Sequence, residues 1–249
     1  MYKLIIIGLL VVVVFFVRRM NPYFMCRCLN RIYSFHCSNN AVLDTDNYSW
    51  SKLLRENWQV IRDEYLEYNG YIPTHKEVNS NVSNIVQSGQ WRTLYLRAYN
   101  KDTELIDQFP KTKELINKIS NCTLANFSIL EPNTELEPHI GVYKGVLRYH
   151  LGLIVPKDYE KCSLKVNDKV LYWKEGEDLM FDDLFLHSVA NNTDEKRVIL
   201  FLDIKRDFGK GVIGKLLNSV NNISLHFIST CDEVNKTINN ANKFKERSL

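Results

Sequence analysis

The chain has 249 residues, of which 45% are hydrophobic, 12% aromatic and 24% charged, with a formal net charge of +3. That length allows one catalytic-sized domain with appendages or two small ones; the apolar content excludes wholesale disorder, and 10 Gly and 6 Pro exclude collagen-like or low-complexity chains. The charge is uneven: residues 1–43 hold five cations and no acid, residues 208–249 hold six cations and three acids, and the middle is net acidic. An acidic middle argues against a nucleic-acid-binding core, and basic ends beside an apolar segment point to an anionic membrane surface.

Leu4 to Val17 reads LIIIGLLVVVVFFV, without one polar side chain, and Arg18-Arg19 follow at once. As a helix this run spans about 21 Å, and Met1, Tyr2 and snorkelling basic flanks extend it toward the roughly 30 Å hydrocarbon core. The competing reading is a secretory signal peptide, but no small-x-small cleavage site follows. A transmembrane anchor over residues 1–20 is expected, touching the membrane through residues 4–17. The positive-inside rule then places the bulk of the chain in the cytoplasm. Residues 21–49 lack periodicity and read as a tether. Six cysteines form no CxxC pair, so no zinc knuckle is indicated. Seven Asn-x-Ser/Thr sequons in so Asn-rich a chain carry little weight.

Trp50 to Tyr68 puts Leu53, Leu54, Trp58, Ile61, Tyr65 and Leu66 at helical spacing and predicts one amphipathic helix. Lys111 to Ile119 predicts a second, short one. From about Thr123, runs such as TLANFSIL, VLRYHLGLIV and RVILFLDI alternate with turn signals, among them Asn167-Asp168 and Glu175-Gly176. Short strands without intervening helices predict an all-β sandwich or barrel. Helical spacing returns at Val212 in the basic tail, residues 208–249, which either packs on the core or lies on a membrane surface.

Three histidines fall inside the β-rich region: His139, His150 and His187. A distant His completing a His-x-(Asp/Glu) pair on a jelly roll is the facial triad of non-haem iron oxygenases, but position 141 is Gly, so the carboxylate is missing. Asp182 and Asp183 read as turn residues, and Trp58, Trp91 and Trp173 as core.

Several stretches together resemble the aspartyl/asparaginyl β-hydroxylase family of 2-oxoglutarate-dependent oxygenases. They are SILEPNTELEPHIG (128–141), LRYHLGLIVP (147–156), FDDLFLHSV (181–189) and RVILFLD (197–203), with similar lead-in segments from about residue 50. The family carries Gly where related oxygenases carry the acidic ligand, so Gly141 fits. The resemblance implies a mainly β fold, a double-stranded β-helix (jelly roll) over residues 50–207 with flanking helices. It also implies Fe(II) bound by His139 and His187, and 2-oxoglutarate and O2 as cosubstrates. Arg197 would pair with the distal carboxylate of 2-oxoglutarate, its fork meeting that group bidentately. Ser128, Arg148 and His150 would share the pocket, and Leu130 and Val189 would line it. Strand alternation independently puts Arg148 and His150 on one face.

The implied reaction hydroxylates an unactivated C–H while 2-oxoglutarate is oxidised to succinate and CO2. The substrate is either an Asp/Asn-type protein side chain or a lipid acyl chain. Members acting on Asp/Asn are expected to carry an extra Arg where this chain has Val146, and the similar bacterial lipid A 2-hydroxylase branch tilts the reading slightly toward lipid. The alternative is a non-catalytic jelly-roll binding module anchored at a membrane. The presence of His139, His187 and Arg197 together favours the enzyme.

Overall fold

A computed structural model describes residues 22–37, 40–79 and 85–245. Helix α1 (Pro22–Ser34) is followed by strand β1 (Val42–Leu43) and helices α2 (Ser49–Glu56), α3 (Trp58–Glu67) and α4 (His75–Val78). Then come β2 (Val86–Ser88), β3 (Trp91–Ala98), β4 (Lys101–Asp102) and α5 (Pro110–Asn117). The β-rich region supplies β5 (Cys122–Leu130), β6 (Thr134–His139), β7 (Val146–Ile154), β8 (Cys162–Val166) and β9 (Lys169–Tyr172). It continues with β10 (Asp178–Phe181), β11 (His187–Asn191) and β12 (Arg197–Lys205), and helices α6 (Val212–Ser229) and α7 (Asp232–Lys245) end the chain.

The strands form two antiparallel sheets that face each other as a jelly roll. The larger has the order β1-β10-β7-β12-β5-β3-β4, the smaller β2-β6-β11-β8-β9. Asn167, at φ 54°, forms with Asp168 the two-residue turn of the β8–β9 hairpin, as the sequence predicts. The central strands of the large sheet are covered on both faces, which is why they read as continuous apolar runs. Alternate residues face opposite ways. On β5, β7 and β12, Ala125, Phe127 and Ile129, Leu147, Tyr149 and Leu151, and Val198, Leu200 and Leu202 pack under the helices. Their neighbours Ser128, Arg148, His150, Arg197 and Phe201 are left facing the space between the sheets. Polar side chains at alternate positions of three adjacent strands therefore converge without any helix delivering them.

Three sequence expectations change. The predicted helix 50–68 is two helices, broken where Asn57 leaves helical geometry (φ −114°, ψ 14°); Leu54, Ile61 and Tyr65 are buried, but Leu66 is 57% exposed. The tether contains α1, whose Cys26 and Tyr33 join Tyr143, Val146, Phe208, Leu217 and Leu225 in a satellite core. The single-pass placement with a cytoplasmic catalytic region does not stand. Among the described residues no helix is long and apolar enough to cross a membrane, and residues 4–17 lie outside the described residues.

Candidate active site

His139 ends β6, His187 begins β11, and the two are direct cross-strand partners with ring centroids 4.2 Å apart. A register shift between His187 and Val189 marks a local bulge, a device that re-aims a side chain at a site. Each ring is held through Nδ1 by a carbonyl two residues back, Glu137 O at 2.7 Å and Phe185 O at 2.9 Å. Those bonds assign the Nδ1–H tautomer and leave both Nε2 lone pairs for a ligand. Burial lowers the pKa of both histidines, His187 to about 3 with His139 adding to the effect, so both are neutral near neutrality, as metal binding requires.

Gly141 follows two residues after His139. Its N–H donates to Asp183 O at 2.7 Å, and a Cβ placed there would lie 2.0 Å from Asp183 Oδ2. A side chain at position 141 would have to displace the Asp183 carboxylate from that space. Among the described residues no group of three His, Cys, Asp or Glu side chains could hold a metal. The two imidazoles suit a divalent cation that takes its remaining ligands from elsewhere.

In the same cavity Arg197 is 3% exposed, meets no carboxylate among the described residues, and lies 4.6 Å above the Trp173 ring. Its Nη2 donates to Ser128 Oγ at 3.3 Å, Trp91 Nε1 donates to the same oxygen at 2.9 Å, and its Nε has no partner. Burial lowers its pKa to about 10. His150, pushed well below its ordinary value by burial and then by Arg197, accepts from Trp173 Nε1 through Nδ1 at 3.4 Å. That assigns the proton to Nε2, which is buried and unpartnered. Two orphaned donors, one charged, therefore share one cavity with two neutral imidazoles. Burying an unpaired guanidinium costs several kcal/mol unless an anion completes it. A dicarboxylate of 2-oxoglutarate type meets that requirement.

Arg148 is compensated within the protein. Its Nη2 lies 2.9 Å from Asp183 Oδ2 and its Nε 3.2 Å from Asp203 Oδ1, with Phe201 beneath the guanidinium. Burial pulls its pKa down, but the two carboxylates reverse that and raise it. Asp183 is itself raised to about 6, burial outweighing Arg148. Asp182 makes the expected turn, accepting from Leu184 N at 3.1 Å, and also pairs with Lys144 and Arg206.

Seven of the eight expected residues line this one cavity: Ser128, His139, Arg148, His150, His187, Val189 and Arg197. Leu130 does not; it pairs with Arg197 across β5–β12 and packs in the inter-sheet core. The reading of Trp91 as core is corrected, since it lines the cavity and its indole N–H holds Ser128 Oγ; Trp173, 1% exposed, belongs to the inter-sheet core as expected and donates to His150 from there. Leu136, Leu164, Phe181 and Phe201 complete the lining. Among these, only strand parity gave a signal. A separate hollow beside Lys101, Lys205 and His226 gathers none of the expected residues.

Two facing antiparallel sheets define a jelly-roll barrel, with a cross-strand histidine pair and a buried arginine lining the cavity between them. Within that class the chain belongs to the aspartyl/asparaginyl beta-hydroxylase family, which matches residues 55–207. It is 37% identical over 169 residues to an ornithine lipid ester-linked acyl 2-hydroxylase of Rhizobium tropici, covering 66% of this chain and 60% of that protein. It is 32% identical over 163 residues to the aspartyl/asparaginyl beta-hydroxylase of Mus musculus, covering 61% of this chain and 21% of that protein. The match thus spans less than two thirds of either relative. Among solved structures, a viral collagen prolyl hydroxylase from Paramecium Bursaria Chlorella virus-1, in complex with 2OG, aligns with TM-score 0.33 at 15% identity, covering 46% of this chain and 78% of that one.

Proposed function

We propose that the protein is an Fe(II)- and 2-oxoglutarate-dependent hydroxylase acting on an unactivated C–H of an uncharged aliphatic chain, a lipid acyl chain before an Asp/Asn-type side chain. One observation carries this reading: Arg197 Nε and His150 Nε2 are buried, unpartnered donors in the cavity that holds the His139–His187 pair. Family membership supports hydroxylation.

His139 and His187 hold the metal, their rings fixed by the Glu137 and Phe185 carbonyls. Arg197 takes the distal carboxylate of 2-oxoglutarate, with Ser128 and His150 as neutral partners. Iron bound there, with O2, supplies oxidative decarboxylation of the cosubstrate coupled to hydroxylation. Leu136, Leu164, Phe181, Val189 and Phe201 keep water from the reacting centre.

The substrate preference rests on charge. Arg148, the cation best placed to meet an acidic side chain, is already held by Asp183 and Asp203. Ile140, Val142 and Leu186, beside the two histidines in sequence, are 61%, 51% and 56% exposed and give the rim an apolar character. The name of the rhizobial relative, an acyl hydroxylase, agrees with this preference.

Anaerobic titration with Fe(II) and 2-oxoglutarate tests the cofactor assignment. A visible charge-transfer band is expected in the wild type and is lost in His139→Ala and in His187→Ala; a band unchanged in either variant overturns it. Mass spectrometry of lipids and proteins for the gain of one oxygen, with and without active protein, tests the substrate.

A further inference from the structure

Helix α6 is amphipathic the wrong way round. Its buried residues are Gly214, Leu217, Asn221, Ser224, Leu225 and Ser229, four of them small or polar. Its outward residues include Val212, Ile213, Leu216 and Ile223, exposed by 87%, 62%, 62% and 68%. At 3.6 residues per turn these four, with half-buried Val220 and Phe227, fall within an arc of roughly 100°. Lys215, Ser219, Asn222 and His226 flank one side of that arc.

The helix cannot roll to hide this stripe. Asn221 is fully buried; its Nδ2 donates to Gly145 O at 2.9 Å and its Oδ1 accepts from Tyr143 OH at 2.7 Å. At Gly214 a Cβ would stand 2.5 Å from Gly209 O and 2.6 Å from Phe208 O, so the helix start is pressed against the preceding backbone. Turning the stripe inward breaks those bonds and forces bulk into that contact.

Charge narrows the partner. Residues 208–231 contain Lys210 and Lys215 and no acid; residues 22–37, which include α1, contain Arg27 and Arg31 and no acid. The outer side of this N-terminal stretch exposes Phe24, Ile32 and Phe35 by 56%, 52% and 90%. Helices α1 and α6 share the satellite core, and Asn30 of α1 donates to Val142 O at 2.9 Å, so this surface adjoins the cavity rim. Within these two stretches apolar side chains are flanked by cations and not by acids, and Glu233, just beyond them, accepts a hydrogen bond from Tyr23 OH of α1 at 3.0 Å; the combination complements an anionic, apolar-cored layer.

We propose that the outer face of α6, with the exposed face of α1, seats the protein on an anionic lipid surface, the helix lying in the headgroup plane without crossing it. The contact stands on residues 22–37 and 208–231 alone and does not depend on the hydroxylase reading. The seat sets the cavity rim beside the lipid layer.

Ile223→Trp in the full chain reports on the stripe itself, read as a difference spectrum against wild type. Vesicles of equimolar phosphatidylcholine and phosphatidylglycerol should shift its emission to the blue, and phosphatidylcholine alone should do so far less. Adding Ile213→Asp and Leu216→Asp should weaken the anionic-vesicle response about ten-fold or more while leaving the thermal midpoint unchanged, because both positions are exposed. No lipid-dependent shift overturns the proposal. So does an emission already blue without lipid, which assigns the stripe to a second copy if the mass doubles in light scattering and to this chain's own apolar N-terminal segment if it does not. A shift equal on both vesicle types overturns the anionic preference.

Discussion

Arg197 and Arg148 lie on adjacent strands, β12 and β7, and both point into the space between the sheets. Their surroundings differ in one respect. Arg148 meets two carboxylates, and its pKa is raised; Arg197 meets a hydroxyl and an indole face, and its pKa falls to about 10. A cation compensated inside the fold is part of the wall. A cation left uncompensated stores a requirement for an anion, and the fold carries the cost until a ligand arrives. On the proposed function Arg197 is the binding end of the cavity, whereas Arg148 closes an electrostatic circuit with Asp183 and Asp203, and residue type alone does not tell the two apart.

Substitution at Arg197 tests this contrast most sharply. In Arg197→Met, affinity for 2-oxoglutarate should fall roughly 30- to 1000-fold, about 2–4 kcal/mol, by calorimetry. The ligand-free protein should resist urea better than wild type, because an unpaired buried charge is gone. A loss of apo stability would erase the distinction between the two arginines. In Arg148→Met the signs reverse. Asp183 and Asp203 are left facing each other, and unfolding should cost about 2–3 kcal/mol less, a figure already tempered by the 23% exposure of the arginine side chain. Its 2-oxoglutarate affinity should change less than that of Arg197→Met.

Behind the binding end, His75 stacks on Trp91 at 3.8 Å with an 8° tilt, and its Nδ1 is buried without a partner. Burial lowers its pKa to about 3 from 6.5. The unfolded chain therefore takes up the proton first. The stabilising effect is complete above about pH 6.5 and is lost as pH falls toward 3, about 2 kcal/mol of it between about pH 7 and about pH 5. His75→Phe keeps a stacking ring without the titration, so its urea midpoint should depend less on pH over that interval; an equal dependence excludes His75 as the source. The smallest effect is expected at Gly141→Ala, where the new Cβ meets the Asp183 carboxylate. A loss of about 1 kcal/mol should accompany weaker Co(II) binding at the histidine pair. Unaltered stability and metal affinity would mean that Asp183 moves aside freely.

Part of the site was legible because strand parity is local: Arg148 and His150, two apart on β7, share a face in any strand. Ser128, Arg197 and Leu130 came from the family resemblance, and the pairing of β5 with β12 and β7 is what turns Ser128 and Arg197 to the same side. Leu130 shares the inner face with Ser128, yet which inner residues border the cavity depends on the smaller sheet opposite. Trp91 was read as core because an indole donor reveals its partner only in three dimensions. The break at Asn57 and the docking of α1 depend on surfaces contributed by distant segments, which no local spacing encodes.

Taken alone, the amino-acid order determined the β-rich class and the hairpin at Asn167-Asp168, which depend on local periodicity and turn chemistry. Its resemblance to a known family is what singled out His139, His187 and Arg197 as candidates. Tertiary structure alone decided that His139 and His187 are cross-strand partners, and that Asp183 fills the space beside Gly141. It alone decided that Arg148 is compensated while Arg197 is not, and that α6 turns its apolar side outward. Whether a buried charge is paired, and which side of a helix is buried, depend on groups brought together from far along the chain, and only folding sets those distances.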